Sequence, residues 1–543
     1  MSKKDKTKIA DPFSETEASA PPLGLKLLVF TGGAVLMGLE MAGSRVLAPH
    51  FGNSVFVWGS IISVFLIALS AGYYVGGRLA DKKPSFAFLN GICLVSGLLI
   101  LLVPYFAHGL CASLVENGWS EEAGPLVATT ILFLPASFLL GTLSPFSVRL
   151  AAQTVQTVGA AAGTLYSLST VGSIAGTLVT TFVLIPHFGV TAILRGLGVV
   201  MIAVPFLMLL RQPRKAASAS PLALLGALLA VLPAPATIEL SPGAKMVLEE
   251  DTPYHHIAVI DYGRGKAAVD AEVEHAVRVL RFDRFTESQI ELAKPYRSQA
   301  KYTDYFHLAF LAKPQIARTV FIGAGGGVGP RTFAEMDPSM AIDVVDIDRR
   351  ILEIAHDYFH MPTGGRVTTH AEDGRRWLHN EKGTCDCLIL DAFTIGGVIP
   401  FHLTTEEFFE TCRDRLSDDG VLIMNVNSAL EGESGGIFLR VMRTFQEVFP
   451  RLYVFSKGLH SGEEGYKDDR TASRNEMVVA MKSGPELSLE DWLTRAGSYP
   501  EKSYLTRAML YPMVRDLDLQ WRSKIGDVPI LTDDFAPIET LRF

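Results

Sequence analysis

Four short segments of this 543-residue chain combine glycines and carboxylates at spacings suited to a nucleoside-type ligand. The run FIGAGGGVG, residues 321–329, ends an apolar stretch and precedes a helical one. Gly323, Gly325 and Gly327 allow a tight turn whose backbone a ligand can approach without Cβ obstruction. Asp346, followed by Ile347, ends the next strand-like run 21 residues after Gly325, where an acid can accept bonds from ribose hydroxyls. Asp373 and Gly374 end a third run, placed for an adenine amine, and Asp391 ends a fourth. Any one of these acids alone is more often a helix cap or turn residue than a ligand contact. Three at successive strand ends point to a site.

The elements that must hold these groups are legible around them. TVFIGAG, AIDVVDID, RVTTHAED, CDCLILDAF and GVLIMNV read as five core strands with helical stretches between them. That alternation predicts a parallel, Rossmann-like sheet covered by helices on both faces, with its ligand at the carboxyl ends of the strands. Short β runs, HHIAVIDY and VRVLRF, precede it as an N-terminal β element.

The rest of the chain is a different material. Residues 23–236 hold 15 Asp, Glu, Lys and Arg in 214 positions, whereas residues 237–543 hold 83 in 307, the level of a water-soluble domain. Three regions are expected: a disordered arm over 1–22, a transmembrane helical domain over 23–236, and an α/β domain over 237–543. Apolar runs at about 25–47, 55–79, 85–107, 124–143, 163–186 and 189–210 are long enough to cross a hydrocarbon layer of roughly 30 Å. A seventh, 221–235, is short and carries Pro233 and Pro235, so it is expected to re-enter or lie at the interface. Lys and Arg concentrate before the first run, between the second and third and after the sixth, which sets the N-terminus and, with six crossings, the α/β half in the cytoplasm. The pairs Gly72/Gly76, Gly159/Gly163 and Gly172/Gly176 are candidate helix seams. Glu40 lies inside the first run, where a carboxylate is costly, and is a functional candidate for that reason. A net charge of −8 argues against a nucleic-acid partner, and the five cysteines form neither a disulfide framework nor a zinc pattern.

The spacing of Gly323-x-Gly325-x-Gly327, Asp346, Asp373-Gly374 and Asp391 resembles class I S-adenosylmethionine-binding folds, and the flanking segments resemble spermidine synthases. DAFTIGGVIPFHLTTEEF and GLEMAGSRVLAPHFG are similar to membrane-fused spermidine synthase-like proteins of the polyamine aminopropyltransferase family. The resemblance implies S-adenosylmethionine or its decarboxylated form as co-substrate, no prosthetic group and no metal, and release of 5′-methylthioadenosine. It implies Asp391 as the base for an attacking amine and Tyr254 and Tyr305 as residues that orient it. His307, beside Tyr305, and His402, after Asp391, are candidate substrate contacts. The expected partners are a small amine or S-adenosylmethionine-derived substrate, membrane lipid and a second copy of the chain as homodimer; the expected location is the inner membrane.

The family's substrate-holding acids are nevertheless missing. The acid within its glycine loop corresponds to Gly326 here, the acid soon after the fourth strand to Thr394, and the acidic-polar pair before its tyrosine to Lys301 and Tyr302. Diamines and aminopropyl donors present ammonium groups that want carboxylates when drawn from water. Two other chemistries therefore stand beside aminopropyl transfer: acceptor-free cleavage of intact S-adenosylmethionine, and a transporter or sensor gated by a nucleoside ligand.

Overall fold

The computed structural model describes residues 21–538 except 53, 121, 153–157, 211–212, 235–237, 239, 264–274, 284, 295–300, 395–396, 461–468 and 502–504. Nearly all of the expected disordered arm lies outside the described residues. The chain divides into two compact units, Met1–Val46 with Trp58–Pro235, and Leu47–Val57 with Ala236–Phe543.

The first unit is helical: α1 (Leu23–Phe51), α2 (Val55–Lys82), α3 (Phe86–Glu116), α4 (Ala123–Gly141), α5 (Leu143–Ala151), α6 (Val158–Val179), α7 (Ile185–His187), α8 (Val190–Leu209) and α9 (Pro213–Val231). Among the described residues, six stretches are long and apolar enough to cross a membrane, the fourth joining α4 to α5 and the fifth running from α6 through α7. Two of the three glycine pairs are seams. A Cβ on Gly72 would lie 2.4 Å from the Phe138 carbonyl oxygen, and one on Gly172 would lie 2.2 Å from that of Phe30, so only glycine lets those backbones meet. Gly159 and Gly163 face open space, and that pair is no seam. Glu40 is half-buried on α1.

The seventh apolar run belongs to one continuous helix, α9, that begins at Pro213 and stops before the two prolines. One apolar cluster joins Leu94, Leu98 and Leu101 of α3, Ile202 and Leu209 of α8, and Ala219 of α9. Past the end of α9, the Leu232 carbonyl accepts from Arg195 near the start of α8, and the Leu229 carbonyl accepts from Tyr105 of α3. Helix α9 thus runs back along α8.

The second unit has two sheets. Strands β1 (Ala244–Asp251), β2 (His256–Tyr262), β3 (Val277–Phe282) and β4 (Phe285–Glu291) form an antiparallel meander in sequence order. The larger sheet is built from β5 (Arg318–Ile322), β6 (Ala341–Asp346), β7 (Val367–Ala371), β8 (Cys385–Leu390), β9 (Leu416–Ser428), β10 (Arg451–Ser456) and β11 (Arg474–Met481), in the order β10-β11-β9-β8-β5-β6-β7. Its first five strands in sequence pair parallel, and the last two antiparallel. This is the α/β Rossmann-like arrangement of class I S-adenosylmethionine-binding folds that the strand series predicts. Helices α10 (Leu308–Ala312), α11 (Val328–Met336), α12 (Arg349–Phe359), α13 (Gly374–Asn380), α14 (Glu406–Arg415), α15 (Gly436–Val448), α16 (Leu489–Ser498) and α17 (Arg507–Arg515) complete it. The sheet is covered on both faces, one by a cluster containing Phe306, Phe321 and Phe333 and the other by one containing Phe408, Phe409 and Phe445. The strand ends are therefore the openings left to a ligand. Cys385 and Cys387 are buried on β8, as expected of inert thiols.

Candidate active site

Strand β5 ends at Ile322, and the chain turns through the glycine loop into α11. Gly323 has φ +95°, and a Cβ there would lie 2.1 Å from the Asp391 carbonyl oxygen. Glycine at 323 therefore lets the loop cross the end of β8, which brings the nucleoside loop and Asp391 side by side.

Asp346 ends β6 and braces that loop. One carboxylate oxygen accepts the Ala324 N–H at 2.9 Å and the other the Asp348 N–H at 2.9 Å. Burial pushes this carboxyl up to about 6, against the two backbone donors. Asp348 caps α12 by accepting the Arg350 N–H, and Ile347 between the two acids is exposed, offering an apolar surface beside the predicted ribose position. Asp373 caps α13 by accepting the Arg376 N–H at 2.9 Å and meets His402 Nε2 at 3.0 Å. The His402 bond holds its carboxyl below the usual range. A Cβ on Gly374 would lie 2.3 Å from an Ile322 methyl, so α13 begins tight against β5. The cap roles are thus real at Asp373, and Asp346, Asp373 and the glycine loop still converge on one edge.

Asp391 follows β8. Asn425 of β9 donates its amide to one carboxylate oxygen at 2.9 Å, and the Tyr302 hydroxyl donates to the other at 3.2 Å. Asn475 of β11 donates to the Asn425 amide oxygen at 3.2 Å, which leaves the Asn425 N–H₂ turned toward Asp391. Burial pushes the Asp391 carboxyl up to about 6, with both hydrogen bonds opposing. Tyr302 and Asn425 also line a cavity of about 470 Å³ with Phe285, Thr286, Glu287, Lys301, Phe393, Gly397, Asn427, Lys457 and Asn475. Within it, burial pushes the Glu287 carboxyl up to about 7; His255 opposes and the Asp391 charge adds. A half-buried acid with a proton affinity near neutrality, next to a second acid, can take a proton from an incoming amine.

Tyr305 and His307 stand away from the cavity, and Tyr254 and His402 stand on the nucleoside edge. Tyr305 is buried, and its hydroxyl donates to Asp516 at 2.5 Å; Asp516 also accepts the Gly458 and His460 N–H groups at 2.9 Å. That bond ties Tyr305 to the C-terminal segment, and Tyr302, one turn earlier, meets Asp391 instead. Tyr254 sits in the β1–β2 turn, where Thr252 Oγ1 accepts its N–H. Burial first, then the charges of Asp348, Asp346 and Asp373, raise its hydroxyl, so it belongs to the nucleoside edge. His307 is wholly buried against the rings of Phe310 and Phe333, and burial lowers its pKa to about 4; it does not line the cavity. His402 is engaged by Asp373, again on the nucleoside edge.

The two missing acids have a structural counterpart. The Gly326 N–H donates to Ser288 Oγ of β4 at 2.8 Å, and a Cβ at 326 would lie 2.7 Å from Ser288 Cβ. Ser288 fills the space a loop acid would need. Thr394 is exposed and donates to the Val398 carbonyl at 3.0 Å. The acid that does line the cavity, Glu287, comes from the N-terminal sheet. Sequence reasoning missed it, Asn425 and Asn475; the available signal was a polar residue within each strand, which strand patterning alone does not rank above a solvated one.

Residues 301–457 match the family model described as Spermine/spermidine synthase domain. A polyamine aminopropyltransferase of Vibrio vulnificus (strain CMCP6) is 27% identical over 333 residues, 60% of this chain and 100% of that protein. A probable polyamine aminopropyl transferase of Bifidobacterium longum (strain NCC 2705) is 29% identical over 255 residues, 44% of this chain and 53% of that protein, about half its length. Among solved structures, a probable spermidine synthase from Corynebacterium glutamicum ATCC 13032 is 19% identical, with TM-score 0.42, over 54% of this chain and 97% of that one. Residues 301–457 thus carry a match to the spermidine synthase domain, and over its α/β half the chain is similar to polyamine aminopropyltransferases, enzymes of the transferase class.

Proposed function

We propose that the α/β unit binds an S-adenosyl donor along the glycine loop, Asp346 and Asp373, and transfers the carbon arm of its sulfonium to an amine held in the adjoining cavity. The carrying observation is Asp391: a carboxylate at the end of β8, pinned by Asn425 and Tyr302 at the cavity and a backbone contact away from the glycine loop. In the step, the amine nitrogen forms a bond to the carbon next to sulfur, and the carbon–sulfur bond breaks. Its electron pair returns to sulfur, which leaves as the neutral thioether 5′-methylthioadenosine. The proton lost by the amine passes to Asp391, directly or through Glu287. Because a sulfonium is already a good leaving group, the protein's contribution is orientation and a base. Tyr302 and Asn425 aim that base; Tyr305 and Asp516 hold the segment that carries Tyr302. The helices of the first unit set the protein in a membrane.

The test is product analysis by mass spectrometry from S-adenosylmethionine and from its decarboxylated form, each with and without amines. Methylthioadenosine together with an alkylated amine is the expected result. Methylthioadenosine without an acceptor would replace transfer by cleavage, S-adenosylhomocysteine would mean methyl transfer, and no product from either donor would leave a binding protein.

A further inference from the structure

We infer that the cavity beside Asp391 takes a zwitterionic amino-acid group, a carboxylate carried with an ammonium, rather than a purely cationic arm. The inference rests on the S-adenosyl reading above and adds the class of group that the cavity selects. Two lysines line the cavity: Lys301, in the 3₁₀ turn of residues 301–307, and Lys457, just after β10. The carboxamides of Asn425, Asn427 and Asn475 line it too. Ammonium and amide N–H groups are donors suited to a carboxylate, and two lysines repel a diamine that must bring a second positive charge. Among the described residues the acid that lines the cavity is Glu287, with Asp391 beside it. Glu287 and Asp391 stand on the β4 and β8 side, enough for one ammonium, and at neutral pH Glu287 is only partly ionised because burial lifts it to about 7. No acid can enter from the glycine loop without displacing Ser288, and Thr394 turns its hydroxyl to its own loop. A carboxylate met by the lysines and amides and an ammonium met by Glu287 and Asp391 make the charge pattern of an α-amino acid.

That group has two sources: the uncleaved arm of S-adenosylmethionine itself, which would make the transferred unit 3-amino-3-carboxypropyl, or a separate amino-acid acceptor. Calorimetric titration of the full-length protein in detergent separates them. 5′-Methylthioadenosine has no amino-acid arm, so it reads the nucleoside site alone; if it does not bind, the underlying reading fails and takes this inference with it. If it binds, the expected result is one of two preferences of at least about tenfold, the scale of one or two screened ionic contacts. S-Adenosylmethionine binding more tightly than its decarboxylated form assigns the group to the donor. 2,4-Diaminobutyrate binding more tightly than putrescine, on the methylthioadenosine complex, assigns it to the acceptor. In K301M/K457M the preference should fall to within about twofold while methylthioadenosine still binds. The inference is overturned if the wild-type protein binds the carboxylate-free ligand of each pair equally well or better, or if the preference survives in a double variant that still binds methylthioadenosine.

Discussion

Asp391 and Asp346 have similar surroundings and different work, and their substitution should separate base from binder. Asp391→Asn keeps the size and one acceptor oxygen for Asn425, with its amide N–H₂ donating to a reoriented Tyr302 hydroxyl, but cannot take a proton, so turnover should fall about a hundredfold or more with methylthioadenosine affinity kept. Burial lifts the Asp391 carboxyl to about 6, so the base is ionised above that pH and protonated below it. The rate at low substrate should therefore drop about tenfold per unit below pH 6, and this limb should vanish from the residual activity of the Asn variant. The sign for stability is opposite to that of an ion-paired acid. A carboxyl raised above its unfolded value favours the fold at low pH, and that contribution is lost as pH rises through about 6. Asp346→Ala should instead cost about 1 to 3 kcal/mol of nucleoside affinity by calorimetry, because it removes the acceptor and loosens the Ala324 N–H of the loop. Unchanged affinity in the folded variant would remove Asp346 from the site. Tyr305→Phe tests the corrected tyrosine. With its hydroxyl on buried Asp516, loss should cost about 1 to 3 kcal/mol of stability in thermal unfolding and leave the pH profile unmoved. A large fall in turnover with unchanged stability would restore it as a substrate contact.

At the scale of elements, the site depends on how closely two sheets approach. Strand β4 presses Ser288 against the glycine loop, and the strand on which Ser288 is buried also delivers Glu287 to the cavity. The alternation of a β-strand puts neighbours on opposite faces, so a single strand both closes the loop and supplies an acid elsewhere. Gly326→Asp, which would restore the family's loop acid, should therefore fail as a gain of function. Its Cβ would lie 2.7 Å from Ser288 Cβ, an overlap worth about 1 to 3 kcal/mol of stability. Ser288→Gly in the same chain should recover part of that loss in thermal unfolding. A stable Gly326→Asp single variant with enhanced putrescine binding would show that β4 yields and that the loop acid was merely absent.

At the scale of the whole molecule, whether α9 crosses the membrane decides the side on which the α/β unit works. The sequence expectation of a cytoplasmic α/β half counted six crossings and relied on the cytoplasmic supply of S-adenosylmethionine. Helix α9, however, starts in a segment bearing Arg214 and Lys215 and returns along α8 until its end meets Arg195. Its apolar stretch, Ala217–Val231, covers about 22 Å, and only a few further residues are needed to leave a roughly 30 Å layer. With six crossings, reporter fusions after residues 215 and 543 should both report the cytoplasm. Opposite compartments would show that α9 crosses, and the donor would then have to reach the far face, which would give the helical unit a transport role to test.

What the sequence by itself determined is what short stretches of chain dictate. Strand, glycine turn and helix are local, so the loop at 323–327, the acids at 346, 373 and 391, the parallel sheet and the six long apolar helices were all legible. Each depends on residues within one element or its turn. What only the tertiary structure decided is which side chains face each other across long separations. Tyr302 and Tyr305 are three residues apart, and no local pattern ranks them. Asp391 lies 89 residues from one and Asp516 lies 211 from the other, and those two acids assign the tyrosines their roles. Ser288 and Gly326, 38 residues apart, settle in the same way that the loop stays without an acid. His307 carries an imidazole that sequence reasoning sends to the pocket, and packing sends to the core, because the rings of Phe310 and Phe333 close around it.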